Sequence, residues 1–485
     1  MFEYFIASRP SRESAALLER ISDAGRVEAQ AAAQRLVDIG ELFVLRCRES
    51  GERQDWAMDT WEAVAAQVAA ALRCSVAMGS SYLRYAIAMR DRLPQVGNAF
   101  QAGDIDYRAF QTVVFRTDLI TDADALARVD GRLAVLLSRH PSITRGRLAA
   151  AVDQVVASLD PDAVRRAAEA ARGRFVDIHA DESGMADVTG SVLAATGKAL
   201  DARLDELAAT VCAADPRTRE QRRADALHAL AAGADRLACA CEAADCDAIA
   251  PPKSNVVIYV VAEQGSVGGA GTTPGVLMGG EGVISAELIA QLAKSARLQP
   301  LGMPVDGPEP RYTPSAKLAD FVRCRDLTCR APGCDHPAVH CDVDHTVAYS
   351  EGGCTHPSNL KCLCRKHHLL KTFWGWRDRQ LPDGTVIWDL PGGQTYVTTP
   401  GSALLFPSLC APTGGMPNPV KPPDDRCAER TAMMPRRRRA RAQDRAARVA
   451  TERRQNHEAR MNRQVEWVSY SGLTPPENDD HPPPF

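Results

Sequence analysis

A local concentration of cysteines most constrains how this chain can fold, because seven of its 15 cysteines lie within residues 324–364. Cys329 and Cys334 form a first pair, and Cys364 and His367 form a second pair after an interval of 29 residues. Two close pairs separated by a loop are typical of a chain that encloses a tetrahedral zinc ion. In a reducing compartment such a cluster favours metal ligation over disulfides. We predict that these four residues hold a structural Zn²⁺.

The pattern leaves alternatives open. Cys362 or His368 could replace one ligand through a shift in register, and the cysteines could also remain without metal. A second, smaller group contains Cys239, Cys241 and Cys246. Because no matching pair lies nearby in the sequence, we interpret these three as buried or incidental thiols.

The composition is that of an ordinary globular protein. The sequence is 45% hydrophobic and 25% charged. Its length of 485 residues is sufficient for two or three domains. The N-terminus lacks the pattern of a secretion signal, and the sequence contains no run of about 18 apolar residues, the length typical of a membrane span. We therefore expect a cytoplasmic protein with no membrane partner. The net charge of −3 gives no overall attraction to nucleic acid, so any such affinity requires a local patch.

Residues 1–300 are predicted to form a mainly helical domain with a few strands. Apolar residues recur at helical spacing over residues 12–48, 60–92 and 145–172. The alternation in RFVDIHADESGMADVTGSV predicts a hairpin around Asp181 to Gly184, and the β-branched run SNVVIYVVAEQ predicts a buried strand.

The remaining domain boundaries follow from composition. Residues 297–316 contain five prolines, and we assign 301–316 as a linker. A second domain is predicted over 317–400, ending in a hairpin with an Asp-Gly turn. Residues 407–485 are Pro-rich and then Arg-rich, and we predict a disordered tail or a solvated helix there. The alternative is an arm that contacts nucleic-acid phosphates, since twelve arginines stand against three acidic residues over 430–463.

A second set of residues, interleaved with the zinc pattern, suits a different ion. Short strands predicted in HCDVDH and NLKCL, followed by the helix that begins near Cys364, bring Asp344 and His368 to one side. Residues 367 and 368 lie about 100° apart on that helix, so one imidazole can face the zinc while its neighbour faces the strands. A carboxylate and an imidazole in an open site suit a divalent ion that keeps several waters. His345 points off the opposite face of its strand and can take a proton from water.

The order Asp-His, Gly-Gly, Asn-Leu, Cys-x-x-His-His and Lys over residues 324–373 resembles the HNH endonuclease motif in its zinc-stabilised form. The resemblance implies a small zinc-stabilised ββα-metal domain. It implies that His345 is the general base and that Asn359 braces the loop. It also implies that Asp344 and His368 hold the catalytic ion, commonly Mg²⁺. His367 replaces the final cysteine of the usual pattern.

The N-terminal region resembles a second family. The stretches GDIDYRAF and DPRTREQRRADAL, in their helix-rich frame, are similar to the actinobacterial domain of unknown function 222, also called the 13E12 repeat family. In those proteins the domain precedes an HNH domain, and it implies no mechanism by itself. We therefore expect a metal-dependent endonuclease whose partner is DNA. The alternative is a zinc-stabilised DNA-binding or structural module, such as a mobile-element remnant, without nuclease activity.

Overall fold

The structure is a computed structural model. It describes residues 12–139, 144–164, 175–180, 185–192, 194–241, 243, 246, 259–278, 283–294, 296–304, 307–413 and 433–471. The turn predicted at 181–184, and part of the strand predicted in SNVVIYVVAEQ, lie outside these residues.

Helices dominate the first part of the described chain. They are α1 (Arg12–Ser50), α2 (Thr60–Leu72), α3 (Val76–Ile87), α4 (Pro94–Ala102), α5 (Tyr107–Thr117), α6 (Ala123–Arg139), α7 (Arg145–Leu159), α8 (Ala194–Ala208) and α9 (Arg219–Ala231). The later helices are α10 (Gln264–Val267), α11 (Ala286–Ala293), α12 (Ala316–Asp326), α13 (Arg365–Phe373) and α14 (Arg441–Ser471).

The strands form small antiparallel sheets. They are β1 (Phe175–Ala180), β2 (Ala186–Ser191), β3 (Val260–Val261), β4 (Gly275–Leu277), β5 (Val283–Ile284), β6 (Asp342–His345), β7 (Leu360–Leu363), β8 (Arg377–Gln380), β9 (Val386–Asp389) and β10 (Thr395–Thr398). The sheets have the orders β1-β2, β3-β4-β5, β6-β7 and β10-β9-β8. The N-terminal region is therefore helical with some small sheets, as predicted, and the pairing of β1 with β2 agrees with the predicted hairpin.

The helical pattern predicted over 60–92 is interrupted. Arg73 ends α2 in the left-handed conformation, with φ of 54°. Ser75 then begins α3, because its side-chain oxygen accepts a hydrogen bond from the Met78 N–H at 3.2 Å. The apolar periodicity over 60–92 therefore spans two helices, since it continues across a break that local capping creates.

Two large hydrophobic cores organise the chain. The first is built from α1–α7, and it includes the fully buried Leu36, Phe100 and Phe110. The second joins the C-terminal unit to the N-terminal helices, because Met58 and one face of α2 pack in the same cluster as Phe321 and other residues of 318–409. The α2 helix therefore serves both cores.

Strands β6 and β7 and helix α13 form a compact strand-strand-helix unit. The register pairs Asp342 with Leu363 and His345 with Leu360. Preceding α12 packs against β7, and its last residues, Arg325 and Asp326, are buried beneath that strand. This unit carries the residues that the sequence singled out.

Of the two alternatives predicted for the Arg-rich tail, disorder and a solvated helix, residues 441–471 adopt the helix, α14. Its basic side chains pair with acids of the N-terminal region. The contacts are Arg441 with Asp59 (2.8 Å) and Glu62 (2.9 Å), Arg445 with Asp118 (2.7 Å), Arg453 with Asp160 (2.6 Å) and Arg460 with Asp162 (3.1 Å). Val449 is buried in the first core. Composition could not reveal this, because the acidic partners are scattered over distant parts of the sequence.

The segment assigned as a linker is also structured near its end. The Glu309 N–H donates to the Thr355 carbonyl at 2.9 Å, and the Glu309 carboxylate accepts from the Ser315 hydroxyl at 2.6 Å. Ser315 in turn caps α12. Residues 309–315 therefore lie against the strand-strand-helix unit rather than spanning a gap.

Among the described residues, no single helix has both the length and the apolar composition needed to cross a membrane. The pair Thr60–Leu72 and Val76–Arg92 meets both criteria only when joined, and it is bent by 109°.

Docking of α14 can be tested at Arg441, which bonds to the buried carboxylate of Asp59. Arg441→Ala should lower the free energy of unfolding by about 2 kcal/mol, because hydrogen bonds to charged groups contribute on that scale. The measurement is the midpoint of thermal unfolding. Arg448→Ala is the matched control, since Arg448 is 54% exposed and lies 3.7 Å from Asp118. Equal midpoints for the two variants would contradict the docking.

Candidate functional site

Four predicted zinc ligands converge in the strand-strand-helix unit. The ligand atoms of Cys329, Cys334, Cys364 and His367 all lie within 4.8 Å of one another. The Cys334 and Cys364 sulfurs are 4.0 Å apart, and His367 Nδ1 lies 3.2 Å from the Cys364 sulfur and 3.6 Å from that of Cys329. Tetrahedral zinc with Zn–S bonds of about 2.3 Å requires sulfur separations of about 3.8 Å. The cluster is therefore compatible with a metal site such as zinc.

Local backbone structure explains how these side chains meet. Cys364 lies at the N-cap of α13, and His367 follows one helical turn later. The Cys364 N–H donates to the Cys329 sulfur at 3.3 Å. Hydrogen bonds with Cys329 and Cys334 hold the pKa of Cys364 below its usual value, whereas burial raises the pKa of Cys329 and hydrogen bonds with its neighbours raise that of Cys334. Metal ligation requires the deprotonated form of each thiol, so an ion bound here would displace their protons.

The alternative ligands do not join this cluster. Cys362 is fully buried, and its backbone N–H donates to Asp326 Oδ2 at 2.8 Å. His368 turns toward β6 instead. The predicted 100° separation of His367 and His368 is what allows the two imidazoles to serve different sites.

The exposed edge of the unit forms a second group around His368. Asp342 and Asp344 occupy alternate positions of β6, so their side chains leave the same face of the strand. His368 Nε2 lies 3.4 Å from Asp344 Oδ1, and Nδ1 lies 2.8 Å from Asp342 Oδ2. Asp342 therefore orients the ring while leaving Nε2 directed at Asp344. Such a carboxylate–imidazole arrangement is common behind metal-binding histidines.

Two lysines also hold Asp344. Lys361 is completely buried, and its Nζ lies 2.9 Å from Asp344 Oδ2 and 2.5 Å from Asp378 Oδ2. Lys371 Nζ lies 2.7 Å from the same Asp344 oxygen. Burial raises the pKa of Asp344, but the lysine charges outweigh it and hold that pKa well below the usual range. Both described lysine contacts are made to Oδ2, and the other oxygen, Oδ1, faces His368.

His345 lies at the end of β6 under a stacked tyrosine. Its Nε2 is 2.9 Å from the Thr355 hydroxyl, and that hydroxyl donates its single proton to the Arg311 carbonyl at 2.6 Å. Thr355 must then accept from Nε2–H, which assigns the free lone pair to His345 Nδ1. The Tyr312 ring stacks on the imidazole at 5.2 Å between centroids. Burial lowers the pKa of His345; the Asp344 carboxylate opposes this effect, and the charges of Lys361 and Lys371 add to it.

Asn359 pins the loop between β6 and β7. Its Oδ1 accepts from the Val347 N–H at 2.8 Å, and its Nδ2 donates to the carbonyls of Val347 (3.0 Å) and Cys354 (2.8 Å). The two glycines of DVDHTVAYSEGG are explained here. Gly352 has φ of 85°, and a Cβ at Gly353 would collide with the Val347 carbonyl and with the Asn359 amide.

The structure thus brings Asp344 and His368 together. It places His345, the residue after Asp344, under the Tyr312 ring. Sequence reasoning missed Asp342 and Lys361. The alternation in HCDVDH was a signal for Asp342, since it shares a face with Asp344. No local pattern marks Lys361 as buried, because lysine is normally exposed.

The smaller cysteine group has one more member than the sequence indicated. Cys212 joins Cys239, Cys241 and Cys246, and the four sulfurs lie within 4.8 Å of one another. The missing partner is 27 residues before Cys239, so a search for a nearby pair did not find it.

Comparison with known proteins places most of the chain in one family. The family described as "Domain of unknown function (DUF222)" matches residues 23–326. The chain belongs to the DUF222 family. The match extends beyond the predicted limit at residue 300 and includes all of α12.

Several relatives of this DUF222 protein are known from Mycobacterium tuberculosis. The uncharacterized protein Rv3776 is 44% identical over 91% of this chain and 90% of its own length. The uncharacterized protein Rv2100 is 42% identical over 91% of this chain and 88% of its own length. The similarity therefore extends well past the DUF222 region. No solved structure matches the chain.

The role of Asn359 can be tested by stability. Asn359→Ala should lower the free energy of unfolding by about 3 kcal/mol, because three buried hydrogen bonds of about 1 kcal/mol each are lost. Chemical denaturation, followed through tryptophan fluorescence, measures the change. Asn98→Ala, at an exposed position of α4, is the control and should change little. A loss of unfolding free energy no larger than that of the control would show that the loop keeps its conformation without Asn359.

Proposed function

We propose that the chain is a metal-dependent endonuclease of the HNH type that hydrolyses DNA phosphodiester bonds. The observation that carries this proposal is the pair formed by Asp344 Oδ1 and His368 Nε2, 3.4 Å apart, beside His345 on the same short strand-strand-helix unit. A carboxylate oxygen and an imidazole nitrogen at this separation can share one divalent ion.

Each predicted residue has a task in this proposal. Asp344 and His368 hold the ion, and Asp342 orients His368 through Nδ1. When bound, a divalent ion such as Mg²⁺ stabilises negative charge on the phosphate and on the leaving oxygen. His345 accepts at Nδ1 the proton of the attacking water while its oxygen forms the new bond to phosphorus and the ester P–O bond breaks. The leaving oxygen takes its proton from solvent.

The lowered pKa of His345 is consistent with a neutral imidazole near pH 7, the form that can accept a proton. Thr355 supports this role by fixing the tautomer, and Asn359 supports it by fixing the loop that follows His345. The zinc proposed at Cys329, Cys334, Cys364 and His367 holds α13, and therefore His368, against the strands.

The chain offers a second candidate function, a zinc-stabilised DNA-binding or structural module that does not cut. Two observations favour it. Both lysines already engage Asp344 Oδ2, and Tyr312 stacks on the proposed base. In neither candidate function do we propose that the paired arginines of α14 bind DNA, because they already form ion pairs with acidic residues of the N-terminal region.

The first test of the proposal concerns zinc. Cys334→Ser should lose one equivalent of zinc relative to the unmodified protein and should unfold the unit around α13 selectively. The expected loss of folding free energy is large, since structural zinc contributes about 10–16 kcal/mol in small peptides. Elemental analysis of freshly purified, reduced protein measures the metal. Cys354→Ser is the control, because Cys354 lies outside the cluster. Equal zinc in Cys334→Ser and the unmodified protein would remove the proposed site.

The second test concerns cleavage of supercoiled plasmid over a range of Mg²⁺ and Mn²⁺ concentrations. His345→Ala should retain zinc and DNA affinity while cleavage falls by about 100-fold or more, the scale of a lost general base. Asp344→Asn and His368→Ala should weaken ion binding, so that high metal concentration partly restores cutting. His340→Ala, an exposed histidine outside the site, should cleave normally.

The outcomes of that assay separate the two candidate functions. Cleavage that survives His345→Ala unchanged would show that the activity belongs to a contaminant or to another site. A protein that binds DNA but does not cut with either metal would be the binding module. In Asp344→Asn the buried Lys361 loses part of its charge compensation. Far-ultraviolet circular dichroism on each variant therefore checks that the secondary structure is retained.

A further inference from the structure

We propose that Cys212, Cys239, Cys241 and Cys246 form a second structural zinc site, within the DUF222 region and independent of the proposed nuclease. Their four sulfurs lie within 4.8 Å of one another, and those of Cys212 and Cys239 are 3.5 Å apart. These separations bracket the value of about 3.8 Å that tetrahedral zinc requires.

The arrangement is that of a chain folded around an ion. Cys212 follows α8, and the other three lie on the segment that follows α9. The site therefore ties the end of one helix to the exit from the next. A Cys-x-Cys pair and a cysteine five residues further on can supply three corners, while Cys212 supplies the fourth from a distant part of the sequence.

A buried carboxylate holds the ligand-bearing segment. The side chain of Asp215 is fully buried; its Oδ2 accepts from the Ala240 N–H at 2.9 Å and lies 3.4 Å from the Cys239 sulfur. Arg217 pairs with Asp215 at 2.7 Å and donates to the Ala238 carbonyl at 2.7 Å. Asp215 and Arg217 belong to the motif DPRTREQRRADAL, so that motif fixes the backbone on both sides of Cys239. A zinc-bound Cys239 has no proton to donate to Asp215, so Asp215 and Arg217 position this ligand through its flanking backbone.

The surrounding core is too small to explain this order. In the described part of the α8–α9 unit, only four residues of the hydrophobic cluster are buried, and two of them are alanines: Leu207, Ala226, Ala229 and Leu237. The residues packed around them are only partly buried: Leu204, Val211, Leu230 and Ala234. A small unit with little apolar burial usually needs a cross-link or a metal. Zinc held by thiolates from both ends of α9 supplies the missing stabilisation.

The chemistry of the ligands identifies the type of site. Four thiolates leave no open coordination position, so the ion binds no substrate and acts structurally. Soft sulfur ligands in a tetrahedron select zinc or iron among the common metals. The test therefore measures both metals.

The experiment counts zinc and iron per chain in full-length protein purified with reductant. The unmodified protein should contain two zinc ions and no iron. Cys212→Ser should contain one, and Cys334→Ser should also contain one, because each removes a different site. Cys47→Ser, in α1 and outside both clusters, should retain two. Zinc content that is the same in Cys212→Ser and the unmodified protein, or iron bound at this cluster, would overturn the proposal.

A second measurement needs no variant, so it stands even if Cys212→Ser is insoluble. Alkylation of the native, zinc-loaded protein followed by mass spectrometry should spare Cys212, Cys239, Cys241 and Cys246 until a chelator is added. Cys47 should react at a rate that the chelator does not change. Rapid alkylation of the four before chelation, or recovery of a Cys212–Cys239 disulfide from reduced preparations, would overturn the site.

Asp215 is tested as a positioning residue. Asp215→Asn should release this zinc to a chelator about 10–100-fold faster, the usual effect of losing a group that orients ligands. Asp225→Asn is the matched control, since Asp225 also pairs with Arg217, at 2.6 Å, but is half exposed. Its release rate should match that of the unmodified protein. Because nuclease activity is measured separately, failure of this proposal leaves the proposed function untouched, and the reverse also holds.

Discussion

The buried ion pair of Arg325 and Asp326 is the constraint on which the candidate site depends. Asp326 Oδ2 accepts the Cys362 N–H in the middle of β7, and Arg325 donates to the carbonyls of Pro357 (2.8 Å) and Leu360 (2.7 Å). Both side chains are almost completely buried, so the pair persists only because backbone groups satisfy its remaining hydrogen bonds. It fixes the entry to β7 on both sides of Asn359. The loop, the strand and α13 are all placed relative to this pair.

Local signals in the sequence were sufficient for some parts of the protein. The spacing of Cys329, Cys334, Cys364 and His367 predicted a cluster that the structure forms, because each pair is set by a short turn or by one turn of helix. Alternation likewise predicted that β1 would pair with β2. In each case the interacting residues are close in sequence or follow one simple period, which is the information a pattern contains.

Other parts could not be predicted, because they depend on contacts between distant residues. Cys212 lies too far from Cys239 for a spacing rule, and the buried position of Lys361 depends on Asp378 from another strand. The arginines of α14 gave the composition of a solvated or disordered segment, and only the fold shows that acids such as Asp160 lie opposite them. Tyr312 was assigned to a linker, since proline content gives no information about what a segment covers.

The contacts between α14 and α2 have a consequence for folding during synthesis. Arg441 bonds to Asp59, 382 residues earlier in the chain. N-terminal segments of large proteins begin to fold before the remainder has been translated. Asp59 and Glu62 leave the ribosome long before any arginine of α14, so the nascent N-terminal helices carry these carboxylates without their final partners. Helix α14 can therefore dock only late in synthesis, and a ribosome that stops short of residue 441 releases a chain whose first core lacks Val449 and whose carboxylates at Asp59 and Glu62 lack Arg441.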